Sequence, residues 1–287
     1  MSEGFYKYKE EIIVKEARYY ETLTEEEWAK PYSKYMDRPI TPPNQELLDI
    51  LAQGPMDPAH ALAPENISDL MREGYSEVET GYCVLPNGAA YVAVNNQFPG
   101  VTIDMLKWWF AWHPLEDMRY MLWYKDGHNG ISISDADRGR ILDPATPLDQ
   151  KVQGTVHHVI EDVGLGIEDI TIQFLSPQQL GFDMSLFDGE NFAVFGANGI
   201  SQARAGGPKA AAVMCHFIRN TEQGVESRTR FWMGYHIIDG VPVKLLPDGI
   251  SVPEAAPRGL AIHNVLEYSN LAALLPGLYM EMEGKIQ

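Results

Sequence analysis

The stretch GLAIHNVLEYSNLAALLPGLY, residues 259–279, reads as a helix to be sealed in a core, yet it carries His263 and Glu267 four positions apart. On a helix, positions i and i+4 share a face with Cβ atoms about 5–6 Å apart, so the two side chains can touch each other or one common cation. Two readings are open. As a surface pair they contribute about 0.2–0.5 kcal/mol; as ligands they are half of a metal site. The spacing is not His-Glu-x-x-His, because Asn264 follows the histidine and no second histidine sits four residues on, so the metalloprotease reading fails.

Two further groups bear on the choice. His128 closes the aromatic run RYMLWYKDGH, and Glu161 sits in TVHHVIEDVG among Val156, Val159, Ile160 and Val163. A carboxylate on a half-buried strand is costly unless paired or coordinated. The alternative is a glutamate at a sheet edge facing water, as the neighbouring Asp162 also requires. Two neutral imidazoles and two carboxylates together neutralise a divalent ion. Such a nitrogen and oxygen set suits zinc, and iron, manganese or cobalt also accept these ligand types.

The remaining histidines have plainer readings. His113 ends a Trp-rich helix just before Pro114, where a cationic side chain favours the helix C-terminus. His157 shares a strand face with Glu161, as a neighbour of the site or as a satisfied sheet histidine, while His158, His236 and His60 read as structural or exposed. Of Trp108, Trp109 and Trp112 at least one is ordinary core, since adjacent helical positions point about 100° apart.

The elements that must position these groups come from a chain of 287 residues, 45% apolar, enough for a sizeable core. Its 40 acidic against 22 basic residues give a net charge of −18, which repels nucleic-acid backbones and anionic membrane surfaces. The opening MSEGFYKYKEEIIVKEARYY has neither the apolar centre of a signal peptide nor the acid-poor bias of a transit peptide, and no stretch approaches the roughly 20 apolar residues of a membrane span. Cys83 and Cys215 form no framework of bridges. These features predict a cytoplasmic protein with reduced thiols.

Composition shifts near residue 75. Before it, charged helical text with Thr24 as a cap gives way to prolines 39, 42, 43, 55, 58 and 64, with short helices predicted near 44–53 and 65–73. This defines a helical arm or subdomain over 1–75 and a second unit over 76–287. In the second unit the period becomes two. Residues 75–98 predict a hairpin turning at Asn87 and Gly88, followed by a helix capped by Thr102 and stopped by Pro114. Strands are predicted at 118–124, 154–163, 169–175, 181–196 with a break, 210–219 and 225–238. In the last of these, alternation sets Glu226, Arg228 and Arg230 on one side and Val225, Phe231, Met233 and Tyr235 on the other, turning Tyr235 inward. Strands first and one strong helix last, 258–275, indicate an α+β fold with an antiparallel sheet curling around the C-terminal helix.

Four segments, WWFAWHPLEDMRYMLWYKDGH (108–128), GTVHHVIEDVG (154–164), RTRFWMGYHI (228–237) and HNVLEYSNLAALLPGLY (263–279), resemble the 2,4-diacetylphloroglucinol hydrolase and phloretin hydrolase family. The resemblance spans roughly residues 75 to 280. It implies a zinc-dependent hydrolase that cuts the carbon–carbon bond between an acyl group and a phloroglucinol ring, a fold similar to the Bet v 1 helix-grip type, and a homodimer. By position it implies His128, Glu161, His263 and Glu267 as metal ligands, Tyr120 and Tyr235 as substrate-binding tyrosines, and His216, in MCHFIRN, as the catalytic histidine. Trp109 and Asn129 join them as substrate-binding candidates. Where some members carry a substrate-contacting asparagine three places beyond the first histidine, this chain has Ile131, with Asn129 one place beyond. That departure points away from the diacetyl substrate and toward phloretin or a related acylphloroglucinol. The competing classes are a non-catalytic carrier of aromatic ligands, which needs no convergent ligand set, and a protein whose metal is structural.

Overall fold

Residues 15–287 are described by a computed structural model; the first fourteen, part of the opening read above as carrying no leader, lie outside the described residues. Two short helices come first, α1 (Glu25–Trp28) and α2 (Gln45–Ala52), with Thr24 and Asn44 accepting hydrogen bonds from the amides of their first turns. Proline-led 3-10 turns follow at Pro58–His60 and Pro64–Met71. The second replaces the helix predicted over 65–73: Asn66 leaves helical geometry there, and Asn, Ser and Asp residues compete for backbone hydrogen bonds.

The hairpin forms as its turn dictates, with β1 (Gly81–Val84) pairing antiparallel with β2 (Ala90–Pro99) around a left-handed Gly88. Thr102 caps α3 (Ile103–Trp112), its side chain accepting from the Met105 amide. The next element is a correction. Residues predicted as strand 118–124 form α4 (Asp117–Trp123), because every side chain from Met118 to Trp123 is buried, which leaves neither the period of two nor that of 3.6 legible. A strand the sequence reading missed, β3 (His128–Ile133), and α5 (Asp135–Leu142) come next.

Then follow β4 (Val156–Asp162), β5 (Ile167–Leu175), α6 (Pro177–Leu180), β6 (Phe192–Ala203), β7 (Ala210–Thr221) and β8 (Gly224–Met233). Among the described residues strand β9 (Tyr235–Ile238) pairs only with β10 (Val241–Lys244), and α7 (Ala255–Glu281) is the last element. At 27 residues α7 is roughly 40 Å long. It runs past Pro276, where the sequence suggested an end; Leu278 is buried beyond the proline and Tyr279 packs edge-on against Trp108 at 5.3 Å.

Eight strands make one antiparallel sheet in the order β1-β2-β8-β7-β6-β5-β4-β3. One face is covered by α3, α4 and α7. There Val92, Val94 and Phe231 meet Ala261 and Val265 of α7, and Phe98, Phe110 and Phe195 meet Tyr268 and Leu271 within a larger aromatic cluster. The opposite face packs Tyr91, Val213, Phe217 and Trp232 against Ile67, Leu70, Phe182 and Ile237. The arm before residue 75 has its buried side chains in these same clusters: Tyr32 and Met36 on the α7 side, Leu51 beside α7, and Ile67 and Leu70 on the far face.

The polar row Glu226, Arg228 and Arg230 lies on that far face and is buried. Glu79 lies over it, bound by Arg228 and Arg230 through contacts of 2.6 Å each, while Glu226 pairs with Arg219. Among the described residues no helix is long and apolar enough to cross a membrane. Cys83 and Cys215 are buried and carry no disulfide.

Candidate metal centre

Strand pairing and one close helix contact assemble the site. The register sets His128 of β3 opposite Glu161 of β4. Past β4 the chain turns through Gly164, and here α7 approaches so closely that a Cβ on Gly259 would lie 2.9 Å from the Val163 carbonyl. A Cβ on Gly164, itself at φ +103, would lie 3.0 Å from Gly259 Cα. Two glycines therefore let the helix sit on the β4–β5 turn. The helix face that follows presents His263 and Glu267 to the two strand residues.

Distances match a common ion. One donor atom each from His128, Glu161 and His263 lies within 4.8 Å of the other two. Glu267 Oε2 stands 3.5 Å from His128 Nε2 and 3.9 Å from His263 Nε2, and Glu161 Oε2 stands 3.9 Å from His263 Nε2. A tetrahedral ion with bonds of about 2.0–2.1 Å needs its ligand atoms about 3.4 Å apart, so small side-chain shifts suffice. Among the described residues His128 Nε2, which is buried, has no hydrogen-bond partner. Its other ring nitrogen, Nδ1, lies 3.1 Å from the Tyr120 carbonyl. A carbonyl only accepts, so Nδ1 carries the proton and Nε2 keeps its lone pair free. His263 likewise donates to the main-chain carbonyl of Asp162.

Electrostatics agree. Burial pushes His128 down to about 3 and His263 down to about 4, so both imidazoles are neutral ligands at pH 7. Burial raises Glu267 up to about 7, and burial together with the Glu267 charge raises Glu161 well above the usual carboxylate range. Two carboxylates that resist ionisation side by side are ionised together by a divalent cation, whose charge they balance. The residues therefore fit a metal ion.

The other candidate residues divide. Tyr120 stacks on His128 with ring centroids 4.1 Å apart, and its hydroxyl donates to Glu161 Oε1, so it touches two of the candidate ligands. His216 is buried on the α7 side of the sheet, with Nδ1 2.9 Å from Thr229 Oγ1 and its ring 5.2 Å from Tyr268; burial holds it down at about 3. Trp109 is fully buried, 6.0 Å from Trp123, which is itself 5.3 Å from His128. Trp108 is core: its indole donates to Lys285 O and it stacks on Trp112.

Two candidates lie away from the centre. Tyr235 does not point inward. Gly234, at φ +94, breaks the alternation after Met233 and delivers Tyr235 to the far face of the sheet, where its hydroxyl accepts from Asn87 Nδ2. Asn129 follows His128 at a register shift in β3, and its amide donates to the Arg18 carbonyl instead of facing the site. Ile131 is buried in the cluster that includes Trp109 and Tyr268. His113 is buried and packs on both Trp109 and Tyr120, His157 packs on Phe174, and His158 and His236 bond Thr171 and the Gly199 carbonyl. His60 stands 3.3 Å from Glu77.

Sequence reasoning named Trp109 but missed its neighbours. Among the described residues the Trp109, Trp112 and Trp123 indole nitrogens and the Tyr268 hydroxyl are buried without a hydrogen-bond partner, and Trp123 lies 5.5 Å from Tyr268. Asn96 and Asn264 form a buried amide pair against Glu267. The available signal was a polar residue in an apolar row: Asn96 interrupts the inward series Val92, Val94, Phe98.

Fold and site together define an α+β protein whose sheet and C-terminal helix enclose a buried group of His128, Glu161 and His263 that could hold a metal ion, with Glu267 beside both imidazoles. Comparison with known proteins gives the family. The family model of the DAPG hydrolase PhiG domain matches residues 62–280. Phloretin hydrolase of Eubacterium ramulus is 35% identical over 262 residues, covering 90% of this chain and 93% of the relative. The 2,4-diacetylphloroglucinol hydrolase of Pseudomonas protegens is 30% identical over 264 residues, 88% of this chain and 84% of the relative, and one from another Pseudomonas is equally similar. The chain belongs to the DAPG hydrolase family.

Proposed function

We propose that this protein is a metal-dependent hydrolase that cleaves the carbon–carbon bond between an acyl group and a phloroglucinol ring, with phloretin or a related acylphloroglucinol as substrate. The observation that carries the reading is the convergence of His128, Glu161, His263 and Glu267 at one end of an aromatic cluster whose buried donors, Trp109, Trp123 and Tyr268, have no protein partner. A polyhydroxylated ring supplies acceptors for such donors, and membership of a family with phloretin and diacetylphloroglucinol hydrolases among its members supports the same chemistry.

Water adds at the acyl carbon, the acyl–ring bond breaks, and a proton ends on the ring carbon, giving a carboxylic acid and phloroglucinol. The ring leaves readily once it is protonated at carbon, because its hydroxyls then stabilise the electron pair as an enolate. His128, Glu161, His263 and Glu267 would hold a divalent ion, zinc in this reading, and that ion would supply Lewis-acid polarisation of a ketone oxygen and a pKa of about 7 for water. The chain's own residues do the rest. Trp109, Trp123 and Tyr268 orient the ring by stacking and by donating to its oxygens, and Tyr120, whose proton goes to Glu161, accepts from a ring hydroxyl. His216, neutral at pH 7 and held through Nδ1 by Thr229, moves the proton by way of its free Nε2. The apolar walls exclude bulk water.

The reading extends to zinc as the resident metal, a helix-grip fold of the Bet v 1 type with residues 1–75 as an arm on a catalytic unit of 76–287, and a cytoplasmic homodimer joined through the arm, where Ile50 of α2 is left exposed. The test is incubation with phloretin and with mono- and diacetylphloroglucinol, with and without a chelator. Chelator-sensitive release of phloroglucinol is expected; metal-replete protein that releases none from any of the three contradicts the proposal.

A further inference from the structure

The two glutamates of the centre are tied in the same way, each through one oxygen. Glu161 receives the Tyr120 hydroxyl on Oε1 and turns Oε2 toward His263. Glu267 receives the Asn264 amide on Oε1 at 3.2 Å and turns Oε2 toward both imidazoles. Asn264 is itself held, because Asn96 Nδ2 donates to its Oδ1 at 2.9 Å. With Oδ1 occupied as an acceptor, the Asn264 NH2 must face the carboxylate; the flipped amide would set a carbonyl against Glu267 and a donor against a donor. Asn264 is fully buried and Asn96 is 3% exposed, the one in the same helix as the buried Ala261 and Val265 and the other in the same strand as the buried Val92 and Val94. An amide pair in such a place is retained at a desolvation cost unless it serves a partner, and the partner here is a metal-ligand candidate.

We propose that Asn264, oriented by Asn96, is a positioning residue that reserves Oε1 of Glu267 and leaves Oε2 as the single donor presented to the cation, so that the pair sets metal affinity and coordination number. The inference rests on the metal reading above and deepens it. Tyr120 performs the matching task for Glu161, but it also faces the substrate region, whereas Asn96 and Asn264 do not. The asparagine pair is therefore the cleaner place to test the design.

The test removes both partners at once with Asn96→Val/Asn264→Leu, which restores an apolar row on β2 and leaves no orphaned amide; only Glu267 Oε1 loses its donor, so the melting temperature of the full-length protein should fall by several degrees at most. Zinc affinity, measured on metal-stripped protein by competition with a chelating dye, should fall by about 10–100-fold. Cobalt-substituted protein adds a second readout. Freed to bind through both oxygens, Glu267 raises the coordination number, and the visible absorption of the cobalt form should weaken relative to the unmodified protein. Asn96→Val alone, which keeps the donor but loosens it, should give a smaller loss of affinity in the same direction, and it carries the test should the double variant not fold. Affinity within twofold of the unmodified protein together with an unchanged cobalt spectrum overturns the proposal, as does a natural-sequence protein that takes up no zinc or cobalt. Neither readout uses substrate. Protein that binds zinc through this pair but releases no phloroglucinol would remove the proposed reaction and leave the positioning role intact.

Discussion

Tyr268→Phe should make the protein more stable and a poorer catalyst. The ring is fully buried, edge-on to Phe98 at 5.6 Å, and its hydroxyl has no hydrogen-bond partner, so the oxygen is desolvated without compensation. Deleting an unpaired buried polar group relieves about 1–3 kcal/mol, and Phe keeps the ring contacts with Phe98, Trp123 and His216. At roughly 2–4 °C per kcal/mol for a chain of this size, the melting temperature should rise by several degrees. If the hydroxyl serves a substrate phenol, the same substitution removes one hydrogen bond at about 0.5–1.5 kcal/mol and lowers kcat/KM by roughly 2–12-fold. Differential scanning calorimetry and steady-state phloroglucinol release measure the two effects on one preparation. A lower melting temperature with unchanged kcat/KM would show that the hydroxyl has a structural partner, and the argument from orphaned donors would be refuted.

Other outcomes follow from the same structure. Burial alone would raise Glu79, but its hydrogen bonds and charge contacts with Arg228 and Arg230 outweigh it and hold the carboxyl down at about 2. A depressed carboxyl contributes stability that is complete above its unfolded value and is lost as pH falls toward its folded value. About 3 kcal/mol should therefore disappear between roughly pH 4.5 and pH 2, and Glu79→Gln should abolish that part of the acid transition in urea melts while destabilising the neutral protein by about 3–5 kcal/mol. Gly259→Ala should push α7 off the β4–β5 turn, since its Cβ would meet the Val163 carbonyl at 2.9 Å; zinc retention on a desalting column should drop even where the far-UV spectrum is unchanged. Asn129→Ala and Tyr235→Phe, both directed away from the centre, should leave kcat/KM within about twofold, a change of under 0.5 kcal/mol in transition-state binding, and a tenfold loss in either would restore that residue to the site.

Spacing raised His263 and Glu267 as candidate ligands, and the family resemblance joined His128 and Glu161 to them. His263 and Glu267 share a helix face because the period of the helix says so, and Asn87–Gly88 and Thr102 mark their hairpin and helix by local chemistry that tertiary context does not override. What failed was pattern without contrast. Residues 118–123 are buried all round, so the aromatic and methionine run gave no face to read and passed for a strand. Strand β3 went unseen because Gly130 and the register shift beside it interrupt a six-residue element. Tyr235 was assigned by counting alternation through Gly234, where the backbone turns left-handed and the count resets. The Asn96–Asn264 pair joins residues 168 apart in sequence, a link that no local period encodes.

The claim beneath all of this is that four side chains from β3, β4 and α7 bind one divalent ion on which turnover depends. Elemental analysis of purified protein, taken with phloroglucinol release from phloretin before chelation, after it, and after zinc is restored, addresses that claim directly. The account predicts about one zinc per chain, activity lost and regained with the metal, and neither metal nor activity in His263→Ala. Turnover that persists in metal-free protein, or in metal-free His263→Ala, would contradict it.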